Sequence, residues 1–146
     1  MKISTKGRYA LRLMLDIALY GKDGEPVRIK DIAQRQDLSR KYLEQIIAVL
    51  NKAGYVRSIR GPQGGSLLTR LPGDYTVGMI LRLTEGSLAP VACVEEDGAL
   101  CDRLDDCATI LVWKKLNEAI SGVVDHITLE NLIDWHDARN GNDYVI

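Results

Sequence analysis

The stretch from Arg28 to Arg70 constrains this chain more than any other, because its pattern changes from helical to strand spacing partway along. Ile29, Ile32 and Ala33 fall on one face of a short helix, and Asp37 and Leu38 supply a turn. Ser39 has the hydroxyl a helix N-terminus needs, and Leu43, Ile46, Ile47 and Leu50 recur behind it at helical spacing. Gly54 stands where a helix end calls for a left-handed residue. Tyr55 to Ile59 then reads as a strand, Arg60 to Gly65 as a glycine-rich turn and Ser66 to Arg70 as the returning strand. Helix, turn, helix and hairpin in that order predict a winged helix. Its second helix can enter a major groove, and its hairpin can reach a neighbouring groove or backbone.

Charge divides the chain. Residues 1–70 hold fourteen Lys and Arg against six Asp and Glu, whereas residues 71–146 hold five against fourteen. The net charge of −1 hides this split. A basic first half suits a polyanion and an acidic second half does not. A length of 146 residues and a 46% hydrophobic content allow one real core. No apolar run approaches the roughly 18 residues of a membrane span. The first residues carry no apolar signal segment, so the expectation is a cytoplasmic protein with no membrane partner.

The remaining elements follow from periodicity. Thr5 to Tyr20 predicts a helix so apolar that it should be covered on more than one side, in part by a second subunit. Asp74 to Glu85 predicts a helix capped by Thr76, and Leu88 to Cys107 a long loop. Thr109 to Asp125 predicts a long helix with more apolar surface than one small domain needs, hence a homodimer contact. Thr128 should cap a last short helix ending near Trp135. The expected fold is mostly α with a small β-hairpin wing, a winged helix-turn-helix plus a long dimerisation helix. The expected divisions are a DNA-binding domain over 1–86, a cysteine-containing loop over 87–108, dimerisation and C-terminal helices over 109–136, and a flexible tail over 137–146.

Candidate DNA contacts come from four places. The basic N-terminal tip offers Lys2, Ser4 and Lys6 at a helix start, where side chains and unpaired backbone N–H groups can hold a phosphate. The second helix of the motif offers Ser39, Arg40, Lys41, Tyr42, Glu44 and Gln45. Gln can pair with adenine, Glu can accept from cytosine and Lys can donate to guanine. Arg28 precedes the first helix of the motif, and the wing offers Arg60, Gly61 and Gly64. Arginine at a wing tip can enter a minor groove or hold a phosphate. The wing lacks the order and following helix of a nucleotide-binding loop. Catalysis is not expected: no nucleophile elbow, H-E-x-x-H motif or Cys–His motif occurs.

Cys93, Cys101 and Cys107 are the three cysteines, spaced C-x7-C-x5-C. An odd number argues against a closed disulfide framework and leaves a cluster, zinc or reactive thiols open. At this point the residues resemble a known family. The segments MKISTKGRYALRLMLDIA, KYLEQIIAVLNKAGYV, RSIRGPQGG and DHITLENL are similar to the IscR-type regulators of the Rrf-two family, over roughly residues 1–135. The resemblance implies a dimeric winged-helix transcription factor that binds double-stranded operator DNA. It implies DNA contacts from Tyr42, Glu44, Gln45 and Arg60. It also implies an iron–sulfur cluster, with 2Fe–2S the expected type, ligated by Cys93, Cys101 and Cys107. Cluster-binding members of the family place a histidine three residues after the third cysteine, where this chain has Ile110. Other members take a carboxylate from the start of the first helix, and Arg8 and its neighbours offer none. The alternative reading is a cofactor-free regulator of cysteine or sulfur metabolism, acting through a protein partner or reactive thiols.

Overall fold

The computed structural model describes residues 2–96, 101 and 103–141. Within them the order is α1 (Thr5–Tyr20), α2 (Ile29–Gln36), α3 (Arg40–Lys52), β1 (Val56–Ile59), β2 (Gly65–Leu68), α4 (Val77–Glu85), α5 (Ile110–Val124) and α6 (Leu129–Gly141). Short 3-10 turns occur at Pro72–Asp74, Ala92–Val94 and Leu104–Asp106. The two strands pair antiparallel, with Val56 opposite Leu68 and Ile59 opposite Gly65. This is the winged helix expected from the sequence, with each strand slightly shorter than its apolar pattern.

Side-chain caps set several of the helix starts. Ser39 Oγ accepts from the Tyr42 N–H at 3.1 Å, and Thr76 Oγ1 from the Met79 N–H at 3.0 Å. Thr128 Oγ1 accepts from the Asn131 N–H at 3.2 Å. Each removes one of the unpaired donors at a helix start. Between α2 and α3, Asp37 adopts a left-handed conformation, φ 53°, and beyond α3 Gly54 has φ 77°. The fourth helix starts at Val77 rather than Asp74, because Pro72 favours a tight turn and Thr76 supplies the cap.

Helix α1 forms the centre of the core. Ala10, Leu13, Met14, Ile17 and Ala18 are buried on it, against Ile32 of α2, Leu43, Ile46 and Leu50 of α3, and Ile80 of α4. Burying each large side chain contributes roughly 1.5–3 kcal/mol relative to exposure. Most of the apolar surface of α1 is thus covered by α2, α3, α4, α6 and β2 of its own chain, while Leu11, Leu15 and Leu19 are half-buried and Tyr20 is exposed.

Helix α5 is different. Of its residues only Ile110 is buried, and Leu111, Val112, Leu116 and Val123 are 40–60% exposed. Helix α6 runs to Gly141, past Trp135, so residues 137–141 are helical where a flexible tail was expected. No proline or glycine interrupts Asp137–Asn140, and the Asn140 Nδ2–H donates to His136 Nε2 at 2.8 Å one turn earlier. The rest of the expected tail, 142–146, lies outside the described residues, as does Gly98 of the cysteine loop.

Candidate nucleic-acid interface and cysteine loop

Four apolar residues pin α3 into the core, and its other faces are polar. Leu43, Ile46, Ile47 and Leu50 point inward. Ser39, Arg40, Lys41, Glu44 and Gln45 are exposed, and Tyr42 is half-buried. Tyr42 meets Tyr9 of α1 edge to face, with ring centroids 6.0 Å apart. That contact sets the first turn of α3 beside the second turn of α1.

Helix α3 and the wing line one groove, whose walls include Arg28, Lys30, Arg40, Glu44, Gly61 and Gly64. Asn51 donates to Ser58 Oγ at 2.7 Å and ties the end of α3 to β1. Arg28 stands just before α2 and makes no side-chain cap bond to it; instead its Nη2–H donates to Gln63 Oε1 at 2.8 Å. A candidate DNA contact is therefore also a strut for the wing. At the wing tip Gly61 has φ 109°, a conformation that L side chains rarely adopt. Arg60 beside it is exposed. Lys30 was not singled out from the sequence; its place in the first turn of α2, two residues after Arg28, was the available signal.

The wing is anchored from below by Tyr75, which is fully buried. Its O–H donates to the Tyr55 carbonyl at 2.7 Å and accepts from the N–H groups of Thr69 and Arg70 at 3.0 and 3.1 Å. Tyr75 therefore satisfies both ends of the hairpin at once.

At the N-terminal tip, Lys2 and Ser4 are exposed and Lys6 is half-buried. Ser4 Oγ accepts from the Gly7 N–H at 3.0 Å, which makes it the cap of α1. Its own donors are turned to Glu85 of α4 rather than to solvent.

The cysteine loop leaves α4 at Gly86 and enters α5 at Ile110. Cys93 and Cys101 are exposed, Cys107 is half-buried, and all three are free thiols. Their donor chemistry suits a soft metal or an iron–sulfur cluster. Hydrogen bonding from the Thr109 hydroxyl, at 3.2 Å, and then from the Ile110 backbone holds the Cys107 thiol below its ordinary range. Among the described residues no three His, Cys, Asp or Glu groups are grouped to hold a metal ion. Ile110 is only 7% exposed and belongs to the core. Asp105 and Asp106 are exposed near Cys107, whereas Asp102 lies outside the described residues. His126 is at the far end of α5, where its Nδ1–H donates to the Gly122 carbonyl at 3.0 Å, and His136 is on α6. No described helix is long and apolar enough to cross a membrane.

Comparison with known proteins gives a consistent result. Residues 3–135 match the family described as "Rrf2: Iron-dependent Transcriptional regulator". The chain is 39% identical to the HTH-type transcriptional regulator IscR of Serratia proteamaculans, over 98% of this chain and 88% of that protein. Two solved structures are similar. The global cysteine regulator CymR of B. subtilis is 40% identical, with a TM-score of 0.74 over 92% of this chain and 98% of that one. IscR of T. potens is 42% identical, with a TM-score of 0.76 over 95% and 90%.

Proposed function

Because the chain belongs to the Rrf2 family of iron-dependent transcriptional regulators, we propose that it binds double-stranded operator DNA as a homodimer and reads iron–sulfur cluster status through its cysteine loop. It is a transcriptional regulator of the IscR-like kind, and its relatives are named as regulators rather than enzymes. The observation that carries the DNA-binding reading is the single groove shared by α3 and the wing. Arg40 and Glu44 line it from the helix, while Arg60 is exposed beside the wing glycine Gly61 that lines its other side.

The contacts divide by chemistry. Lys41, Tyr42, Glu44 and Gln45 are the candidates for base edges, because the first turns of this helix face the groove in the motif. Lys2, Ser4, Lys6, Arg28, Ser39 and Arg40 are candidates for phosphates, which set register rather than sequence. Arg60, Gly61 and Gly64 place the wing against backbone or minor groove. The apolar face of α5 is the candidate dimer contact, and a twofold would set two such units on half-sites roughly 34 Å apart.

Cys93, Cys101 and Cys107 would hold the cluster, with 2Fe–2S the type favoured by the resemblance. A bound cluster supplies a redox-active, iron-dependent cross-link within the loop. The loop joins the last turn of α4 to the first turn of α5. Residues at those two ends therefore transmit any change in its order to the winged helix. For that to be regulation, the two states must differ in their contacts with DNA.

A second reading has its own support. One similar solved structure, 40% identical, is a global cysteine regulator. A cofactor-free chain would then answer to thiol chemistry or to a protein partner docked on its acidic half.

One experiment separates the readings. The protein is purified without oxygen, and visible absorption, iron and acid-labile sulfide are measured on the same sample. A coloured protein with iron matching sulfide, and loss of colour in Cys93→Ala, Cys101→Ala and Cys107→Ala, supports the cluster. A colourless protein after attempted reconstitution, still binding DNA, leaves the thiol or partner reading.

A further inference from the structure

Glu85, the last residue of α4, makes a contact that DNA binding alone does not explain. Its carboxylate accepts from the Ser4 N–H at 3.2 Å and from the Ser4 hydroxyl. Ser4 is the cap of α1 and belongs to the basic tip with Lys2 and Lys6. Gly7, in the first turn of α1, is buried, and a methyl group there would collide with the Glu85 carboxylate. The sequence thus leaves room for a carboxylate on donors that would otherwise meet an anion from outside.

That tip adjoins the reading helix. Tyr9, two residues beyond Gly7, packs on Tyr42, and the Arg8 guanidinium lies 5.8 Å from the Tyr9 ring centroid. Among the described residues Lys2, Lys6 and Arg8 form no ion pair. The one carboxylate seated at the tip is held by Ser4, while the surrounding cations stay available to phosphate.

The same turn of α4 is tied elsewhere. Arg82 pairs with Asp125 at the end of α5, with its Nη2–H donating to Oδ2 at 3.2 Å. Arg82 also lines a cavity with Glu95 and Glu96, which belong to the cysteine loop. One helical turn therefore touches the cysteine loop, the long helix and the DNA-side tip.

We propose that Glu85 is a positioning residue that lowers DNA affinity in the free protein. Its carboxylate occupies Ser4, and a DNA phosphate can take the same donors only after Glu85 lets go. This rests on the DNA-binding reading above. A phosphate and a carboxylate compete for the same N–H and O–H groups, and two anions at one helix start repel each other. Movement of the α4 end with the loop or with α5 would then alter affinity with no base contact changed.

The test uses the full chain and a labelled duplex of mixed sequence, because the contact is to backbone and needs no operator. Binding is measured across a salt series for the wild type, Glu85→Gln, Ser4→Ala and the double variant. Glu118→Gln on α5 controls for a change of one net charge. Glu85→Gln should bind roughly threefold to tenfold more tightly at low salt, with a salt slope steeper by about 0.9 for one added phosphate contact. The gain should shrink in the Ser4→Ala background, which removes the hydroxyl donor and keeps the backbone N–H. Glu85→Asp keeps the charge but loses a methylene of reach. It should fall between Glu85→Gln and the wild type, which guards against a folding defect in the first variant. Equal or weaker binding by Glu85→Gln, an equal gain in Glu118→Gln, or a gain undiminished in the Ser4→Ala background would each overturn the assignment while leaving DNA binding intact. A wild type that binds no duplex at low salt would overturn both.

Discussion

Arg35 of α2 grips Asp16 of α1 through both carboxylate oxygens, with N–H···O distances of 2.7 and 3.0 Å. Gln36 adds a third donor at 2.9 Å. The Asp16 side chain is 1% exposed, whereas Arg35 keeps 31% of its surface and lays its guanidinium 3.8 Å from the Tyr20 ring centroid. This clamp fixes α2 against α1, and α2 in turn seats α3. Removing the carboxylate leaves a partly buried cation unpaired. Asp16→Ala should cost about 3 kcal/mol, at the low end for a broken buried pair because Arg35 retains solvent. Chemical denaturation measures it. A loss below about 1 kcal/mol would show that the clamp is not a stabilising contact.

Tyr75→Phe removes one oxygen and leaves the ring. The Tyr55 carbonyl loses its shortest donor and keeps Thr69 at 3.3 Å, while the Arg70 N–H loses its acceptor. The expected cost is about 1–3 kcal/mol, the usual range for leaving buried groups unsatisfied. The effect should be local first. Hydrogen exchange at the Thr69 and Arg70 amides should speed up before global stability is lost. Unchanged exchange at both amides would mean that water replaces the phenol without loss.

The caps were legible in the sequence and the clamps were not. Ser39, Thr76 and Thr128 each act on a backbone N–H three residues ahead, so local order suffices to find them. Asp16 and Arg35 stand nineteen residues apart, and Ser4 and Glu85 eighty-one apart; neither pair leaves a local signal. An aspartate within the apolar run of α1 was a hint, because buried charge requires a partner. The winged helix was legible because its core positions keep helical spacing. The end of α6 was not, since its apolar pattern fades after Trp135 while the backbone continues to Gly141. The apolar excess of α1 and of α5 looks alike in sequence. Only packing separates them, with α1 mostly covered by its own chain and α5 left largely open.

Arg60→Ala should weaken binding to duplex DNA, and part of the loss should be electrostatic. Arg60 is exposed at the start of the wing turn, so its removal costs the fold little. If it holds one phosphate, the slope of log K against log salt should fall by about 0.9. If it reads a minor groove, the loss should be greater on A·T-rich duplexes, where the groove is narrow. Undiminished binding at every salt concentration would remove the wing from the interface.

The open face of α5 carries the last prediction. Leu111 and Val112 are 60% and 55% exposed, with Leu116 at 40% and Val123 at 57%. Val112, Leu116 and Val123 recur at i, i+4 and i+11, so they form one apolar strip along the helix, with Leu111 about 100° round from Val112. Such a strip is costly to leave in water and suits a self-complementary contact. Light scattering should give twice the chain mass of 16.2 kDa for the wild type. Val112→Asp with Leu116→Asp should give a single chain mass. These residues lie outside the winged-helix core, so circular dichroism and the Tyr9–Tyr42 packing should be retained. Operator affinity should fall steeply in the double variant, because one winged helix alone makes few base contacts and loses the gain from linked half-sites. A monomeric wild type, or a double variant that remains dimeric, would move the subunit contact away from α5.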